Sequence, residues 1–169
     1  DLKVKVNRPD RVGAFEIFLK YLDPKLPFSE RAKQKFGAVP EQLVRGMVQE
    51  LVDQMYAESE ENKFLEVTYA KGEREIFFFK DFSSGAMIKN IVDRAKKKAV
   101  KRLIENNEPG ICVEDLVGAY REEFKENEDL PNTTNPDDWA RISGRKGEKI
   151  INVRTLITGI SKQDASIET

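Results

Sequence analysis

The period of the apolar residues changes twice along this chain, and that change limits what it can fold into. From Pro40 onward, Leu43, Val44, Met47, Val48, Leu51, Val52, Met55 and Tyr56 recur at helical spacing, a wide stripe for the buried face of one helix. Pro40 suits the first helical turn, where the missing N–H has no intrahelical partner to lose. Next, Phe64-Leu65-Glu66-Val67-Thr68-Tyr69 and Glu75-Ile76-Phe77-Phe78-Phe79 flank Ala70-Lys71-Gly72-Glu73-Arg74. This pattern predicts a β-hairpin with a glycine-containing turn. The helical period then returns. Ser83 or Ser84 can cap a long helix over about 86–105, with Ile88, Ile91, Val92, Ala95, Ala99 and Leu103 inward.

The flanking segments fit the same alternation. Leu2 to Val6 alternates with period two, as a half-buried strand does, and Arg8-Pro9-Asp10 ends it. A strand with no neighbour close in sequence suits the last strand of a sheet whose other strands lie upstream. Asp10 can cap a helix whose apolar face is Ala14, Phe15, Phe18, Leu19 and Leu22. Lys25 to Val39, with Pro27 and Gly37, is an irregular connection with room for one short helix. Pro109-Gly110 breaks the chain before a helix near Val113 to Glu126, with Leu116, Val117, Tyr120 and Phe124 inward. Residues 127–138 are polar and Pro-punctuated, hence mostly loop. Lys149 to Thr158 alternates again, with Ile151, Val153 and Leu156 as candidates for a final strand, and Ser161 to Thr169 reads as a tail.

Composition removes whole classes of chemistry. The 169 residues are 39% hydrophobic and 35% charged, enough for a core beneath a well-solvated surface. With no histidine there is no Ser-His-Asp triad, no His-ligated zinc and no imidazole acid or base. Cys112 is the only cysteine, so neither an intrachain disulfide nor a Cys-rich metal site can form. No apolar run approaches the ~20 residues of a membrane span, and no signal-peptide pattern opens the chain. The expected location is the cytoplasm, with no membrane partner.

Several tempting motifs read better as ordinary surface. Gly144-Arg145-Lys146-Gly147-Glu148-Lys149 lacks the Ser or Thr that follows a Walker A lysine, and no strand-to-helix junction surrounds it. The acidic residues of 127–138 lack the spacing and central glycine of a calcium loop. Arg94, Lys96, Lys97, Lys98, Lys101 and Arg102 lie opposite the apolar stripe of the long helix, and the net charge is only -1. A solvated face explains them, and no nucleic-acid partner is expected. Trp139 stands alone as a packing anchor.

Ser83-Ser84-Gly85-Ala86 is different, because small residues at a helix start let another molecule approach free N–H groups. Around it, the order of parts resembles the end of an AAA module: a terminal strand, two helices, a long helix opened by Ser-Gly-Ala, another helix. The resemblance is closer than fold level. Tyr56-Ala57-Glu58, Phe64 to Ala70, Ser84 to Lys96 and, above all, Glu126 to Gly144 resemble the actinobacterial proteasomal ATPases. These are the AAA ATPases forming ring-shaped complexes, the family of the mycobacterial proteasome ATPase.

The resemblance implies a mainly helical α+β fold, an AAA+ lid subdomain with an inserted β-hairpin and a C-terminal extended segment. It implies that residues 1–10 are the last strand of the AAA large subdomain. Residues 11–126 would then be the lid with its hairpin at about 63–80, and 127–169 a family-specific C-terminal segment. Gly85 and Ala86 would lie against the adenosine of ATP, with Ser84 as a neighbour. Many AAA+ relatives carry a sensor-2 arginine here, and Ala86 and Met87 stand in its place. No catalytic or metal-ligating residue is expected. Walker A, Walker B, sensor 1 and the arginine fingers would lie upstream, and magnesium with them, so the fragment should not hold ATP tightly or hydrolyse it. The implied partners are its own large subdomain, neighbouring subunits of a homohexamer and the substrate proteins that the ring unfolds and threads. A 20S proteasome is implied for members ending in Gly-Gln-Tyr-Leu, whereas this chain stops at Ile167-Glu168-Thr169. The alternative is a structural or partner-docking module that uses the hairpin and the Trp139 segment, with no nucleotide role.

Overall fold

The computed structural model describes residues 8–127 and 149–157. The expected first strand, Trp139, most of the Gly144–Lys149 segment and the tail lie outside the described residues. Within them the protein is α+β and mainly helical, as the resemblance implied. Its helices are α1 (Arg11–Tyr21), α2 (Glu30–Phe36), α3 (Pro40–Met55), α4 (Gly85–Asn106) and α5 (Val113–Glu126). Its strands are β1 (Lys63–Tyr69), β2 (Arg74–Phe78) and β3 (Ile150–Thr155).

The chain divides into two compact units. The first takes the residues up to Tyr56 together with Phe82–Glu123, and is helical. Asp10 starts α1 by accepting a hydrogen bond from the Gly13 N–H at 2.7 Å, and Ser29 starts α2 by accepting from Ala32 at 3.1 Å. Ala14, Phe18 and Leu22, four residues apart, are buried and turn one face of α1 inward. All eight residues of the predicted stripe from Leu43 to Tyr56 are buried too. Helices α3 and α4 pack on α1, and α2 packs on α3. Asn107 closes α4 in the left-handed region at φ 55°, its N–H donating to the Leu103 carbonyl.

The stripe of α4 departs from expectation at its last turn. Ile88, Ile91, Val92, Ala95 and Ala99 are buried, but Leu103 is 43% exposed. At a spacing of three from Ala99, Arg102 takes the inward place instead. Its guanidinium donates to both oxygens of Asp115, and also to the Gly110 carbonyl at 2.7 Å. Asp115 in turn accepts from the Cys112 N–H at 3.0 Å, at the start of α5. A bidentate ion pair, not apolar contact, therefore fastens the end of α4. The neighbouring basic residues are similarly engaged: Arg94 donates to Glu123 at 3.1 Å, and Lys98 pairs with Glu122. Half of the basic run thus bridges α4 to α5.

The second unit takes Ala57–Asp81 and the residues from Phe124 onward. Its sheet has the order β2-β1-β3, with both pairings antiparallel. Glu66 stands opposite Ile76 on one side and Arg154 on the other. Gly72 turns the hairpin at φ 90°, a conformation glycine adopts without a Cβ penalty. The Phe77-Phe78-Phe79 run resolves into two environments. Phe77 and Phe79 are buried and Phe78 is only half-buried. Phe79 has already left the strand for a single 3-10 turn, and its ring meets Phe124 edge-on at 5.0 Å. Phe64 joins them, 5.6 Å from Phe124.

Candidate functional site

The start of α4 is built by three consecutive residues with separate tasks. Ser83 is fully buried. Ser84 is the N-cap: its hydroxyl oxygen accepts from the Met87 N–H at 3.2 Å, and its carbonyl takes the first helical bond, from Ile88. Gly85 and Ala86 are then the first two helical residues, and their N–H groups find no acceptor among the described residues. Ala86 is exposed and Gly85 half-buried. Among the described residues, a Cβ placed on Gly85 would meet nothing within 4 Å. Among these residues the glycine is therefore not required by packing, and the space in front of it is open.

A network that sequence reasoning missed supports this start from behind. The Tyr56 hydroxyl donates to the Pro9 carbonyl at 2.6 Å and lies 2.8 Å from the Ser83 hydroxyl. A buried tyrosine needs a partner for its O–H, which was the one available signal. The sequence offers no means of choosing that partner from 47 residues away. Burial pushes the Tyr56 phenol above its ordinary value, the hydrogen bond to Ser83 opposes this, and the nearby Asp10 charge adds to it. The hydroxyl is thus held neutral, as a donor must be.

Other reactive groups serve the fold. Burial pushes the Cys112 thiol up to about 11, so it is not a thiolate at neutral pH. The Asp81 carboxyl is also raised, first by burial, although it accepts from the Phe78 N–H at 2.8 Å. Among the described residues no group of three His, Cys, Asp or Glu side chains could hold a metal ion. No described helix is long and apolar enough to cross a membrane. A cleft of about 670 Å3 in the helical unit, lined by residues including Pro27, Phe28, Pro40 and Arg102, shares no residue with Ser84, Gly85 or Ala86.

The open N–H groups and the glycine at the start of α4 leave room for another molecule to approach the helix end. The family described as ARC, AAA+ ATPase lid domain matches residues 9–169. The chain belongs to this AAA+ lid family. It is 55% identical over 167 residues to a Proteasome-associated ATPase of Saccharomonospora viridis, covering 99% of this chain and 28% of that relative. It is 57% identical to a Proteasome-associated ATPase of Frankia casuarinae, covering 100% of this chain and 28% of the relative. A third, from Thermobifida fusca, is 56% identical, with 100% and 29% covered. The lid thus sits within the actinobacterial proteasomal ATPase family, and it spans under a third of the length of these relatives.

Proposed function

We propose that this chain is the moving lid of a hexameric, ATP-driven protein unfoldase, and that Gly85 and Ala86 are its contact with the adenosine. The observation that carries the reading is the open start of α4. Ser84 caps the helix, the Gly85 and Ala86 N–H groups find no acceptor among the described residues, and Gly85 carries no Cβ. In this reading ATP and its magnesium are held by the large AAA subdomain, which contributes Walker A and Walker B. Residues 1–10 continue that subdomain, 11–126 form the lid with its hairpin, and 127–169 form the C-terminal segment. The lid alone supplies no group for hydrolysis.

Function then follows from geometry. A lid that touches only the adenosine cannot stabilise the transferring phosphate, but it can report occupancy, because ATP binding adds contacts only in the closed arrangement. In a ring, each such movement shifts the neighbouring subunit, and six of them in turn thread a protein chain. The cytoplasm is the compartment proposed, with a proteasome as the partner that the relatives' names suggest.

Gly85→Val in the full-length ATPase tests the contact. Because no described residue lies within 4 Å of the added carbon, the variant should unfold within about 1 kcal/mol of the parent. Its KM for ATP should nevertheless rise about ten-fold or more, since a branched side chain would stand where the nucleotide lies, and ten-fold corresponds to about 1.4 kcal/mol. An unchanged KM would remove the adenosine contact from this helix.

A further inference from the structure

Three separate parts of the helical unit meet directly ahead of α4. Pro9 precedes the N-cap of α1, Tyr56 is the C-cap of α3, and Ser83 precedes the N-cap of α4. The Tyr56 proton is committed to the Pro9 carbonyl at 2.6 Å, so at the 2.8 Å contact Ser83 is the donor and the phenol oxygen the acceptor. The order of donation is therefore Ser83 to Tyr56 to Pro9. Ser83 and Tyr56 are both buried, which strengthens each bond and makes an orphaned member costly. A second contact runs parallel to the first, because the Arg8 guanidinium lies 5.5 Å from the Phe82 ring centroid. Residues 8 and 9 are thus fastened to residues 82 and 83, immediately behind the helix start. Pro9 adds stiffness, since its ring fixes φ.

We propose that Tyr56 is a positioning residue that couples the Arg8–Pro9 segment to the start of α4, so that displacement of this segment carries Gly85 and Ala86 with it. The inference rests on the reading of Gly85 and Ala86 as the adenosine contact. Neither Tyr56 nor Ser83 touches the nucleotide in this account. They set where the two open N–H groups point, and they link that direction to the segment through which the large subdomain continues into the lid. The start of α1 and the end of α3 meet at this node.

Steady-state ATP hydrolysis by the full-length ATPase tests the coupling, with Tyr56→Phe, Ser83→Ala, the double variant and Gly85→Val compared. Tyr56→Phe keeps the buried ring and removes one hydroxyl. The expected result is a KM for ATP raised about five-fold in each single variant, with kcat at saturating ATP within about two-fold of the parent. The double variant should be no worse than either single one, because both break the same chain of bonds. If Tyr56→Phe proves too unstable to assay, Ser83→Ala carries the same KM test alone. A lowered Tm with an unchanged KM, or single effects that simply add, would mean a structural role only and overturn the proposal. Gly85→Val raising KM while Tyr56→Phe and Ser83→Ala do not would sink the coupling and leave the adenosine contact standing. No effect of Gly85→Val would remove the contact, and this proposal with it.

Discussion

Gly110→Ala is expected to destabilise the helical unit by about 3–5 kcal/mol, a large share of what a domain of this size has to lose. Two independent penalties act at this position. Gly110 sits at φ 98°, where an L side chain is strained whatever space surrounds it. Its Cβ would also fall 2.3 Å from the Phe28 carbonyl carbon and 2.4 Å from the Ser29 nitrogen. Both are backbone atoms, so no rotamer change relieves the overlap. They are held in place by the bridge between Phe28 and Ile111, in which Ile111 donates to Pro27 and Ser29 donates to Ile111, each at 3.0 Å. Relief requires giving up those two bonds, about 1 kcal/mol each, on top of about 1–3 kcal/mol of backbone strain. The same shift pulls the Gly110 carbonyl away from Arg102. Urea unfolding followed by far-UV circular dichroism measures the loss, and a change below about 1 kcal/mol would contradict this description of the loop.

Phe18→Ala is the second large effect, with an expected cost of about 3–5 kcal/mol. Phe18 is fully buried on α1, between Ala14 and Leu22 on the same face, and α1 packs on both α3 and α4. Removing its ring leaves a cavity bounded by helices that are fastened elsewhere, so the site collapses poorly. Phe15 on the same helix is the control. It is half-exposed, with the Arg45 guanidinium 5.9 Å from its ring centroid, and Phe15→Ala should cost under about 1.5 kcal/mol. Calorimetric Tm values for the pair, compared with the parent, decide the point. Equal losses would show that Phe18 does not anchor α1.

The contrast between these residues shows what was legible beforehand. Helix and strand positions follow from period alone, because apolar spacing of 3.6 or 2 has one economical burial in each case. Pro40, Asp10 and Ser84 therefore occupy the positions their chemistry suggests. Inward and outward are harder at helix ends. Leu103 and Arg102 are adjacent, and nothing local says that Asp115 will draw the arginine inward and leave the leucine half-exposed. The strain at Gly110 was legible only as a break after Pro109, since the clash partner, Phe28, is far away in sequence.

The candidate site divides in the same way. Ser84, Gly85 and Ala86 stand out because small residues open a long helix, and the structure adds that Gly85 faces open space. The Tyr56–Ser83–Pro9 chain was invisible for the opposite reason. Tyr56 already fitted the end of an apolar stripe and Ser83 already fitted a cap, so neither asked for a further partner. Long-range side-chain hydrogen bonds leave no periodic trace in a sequence.

Photolabelling of the full-length ATPase with 8-azido-ATP tests the central claim most directly, because it marks the residues that surround the adenine rather than those that affect it. The account predicts a labelled peptide containing Ser84 to Met87, protected by excess ATP and lost in Gly85→Val. Label confined to other parts of the protein, with Gly85→Val labelled as strongly as the parent, would contradict it.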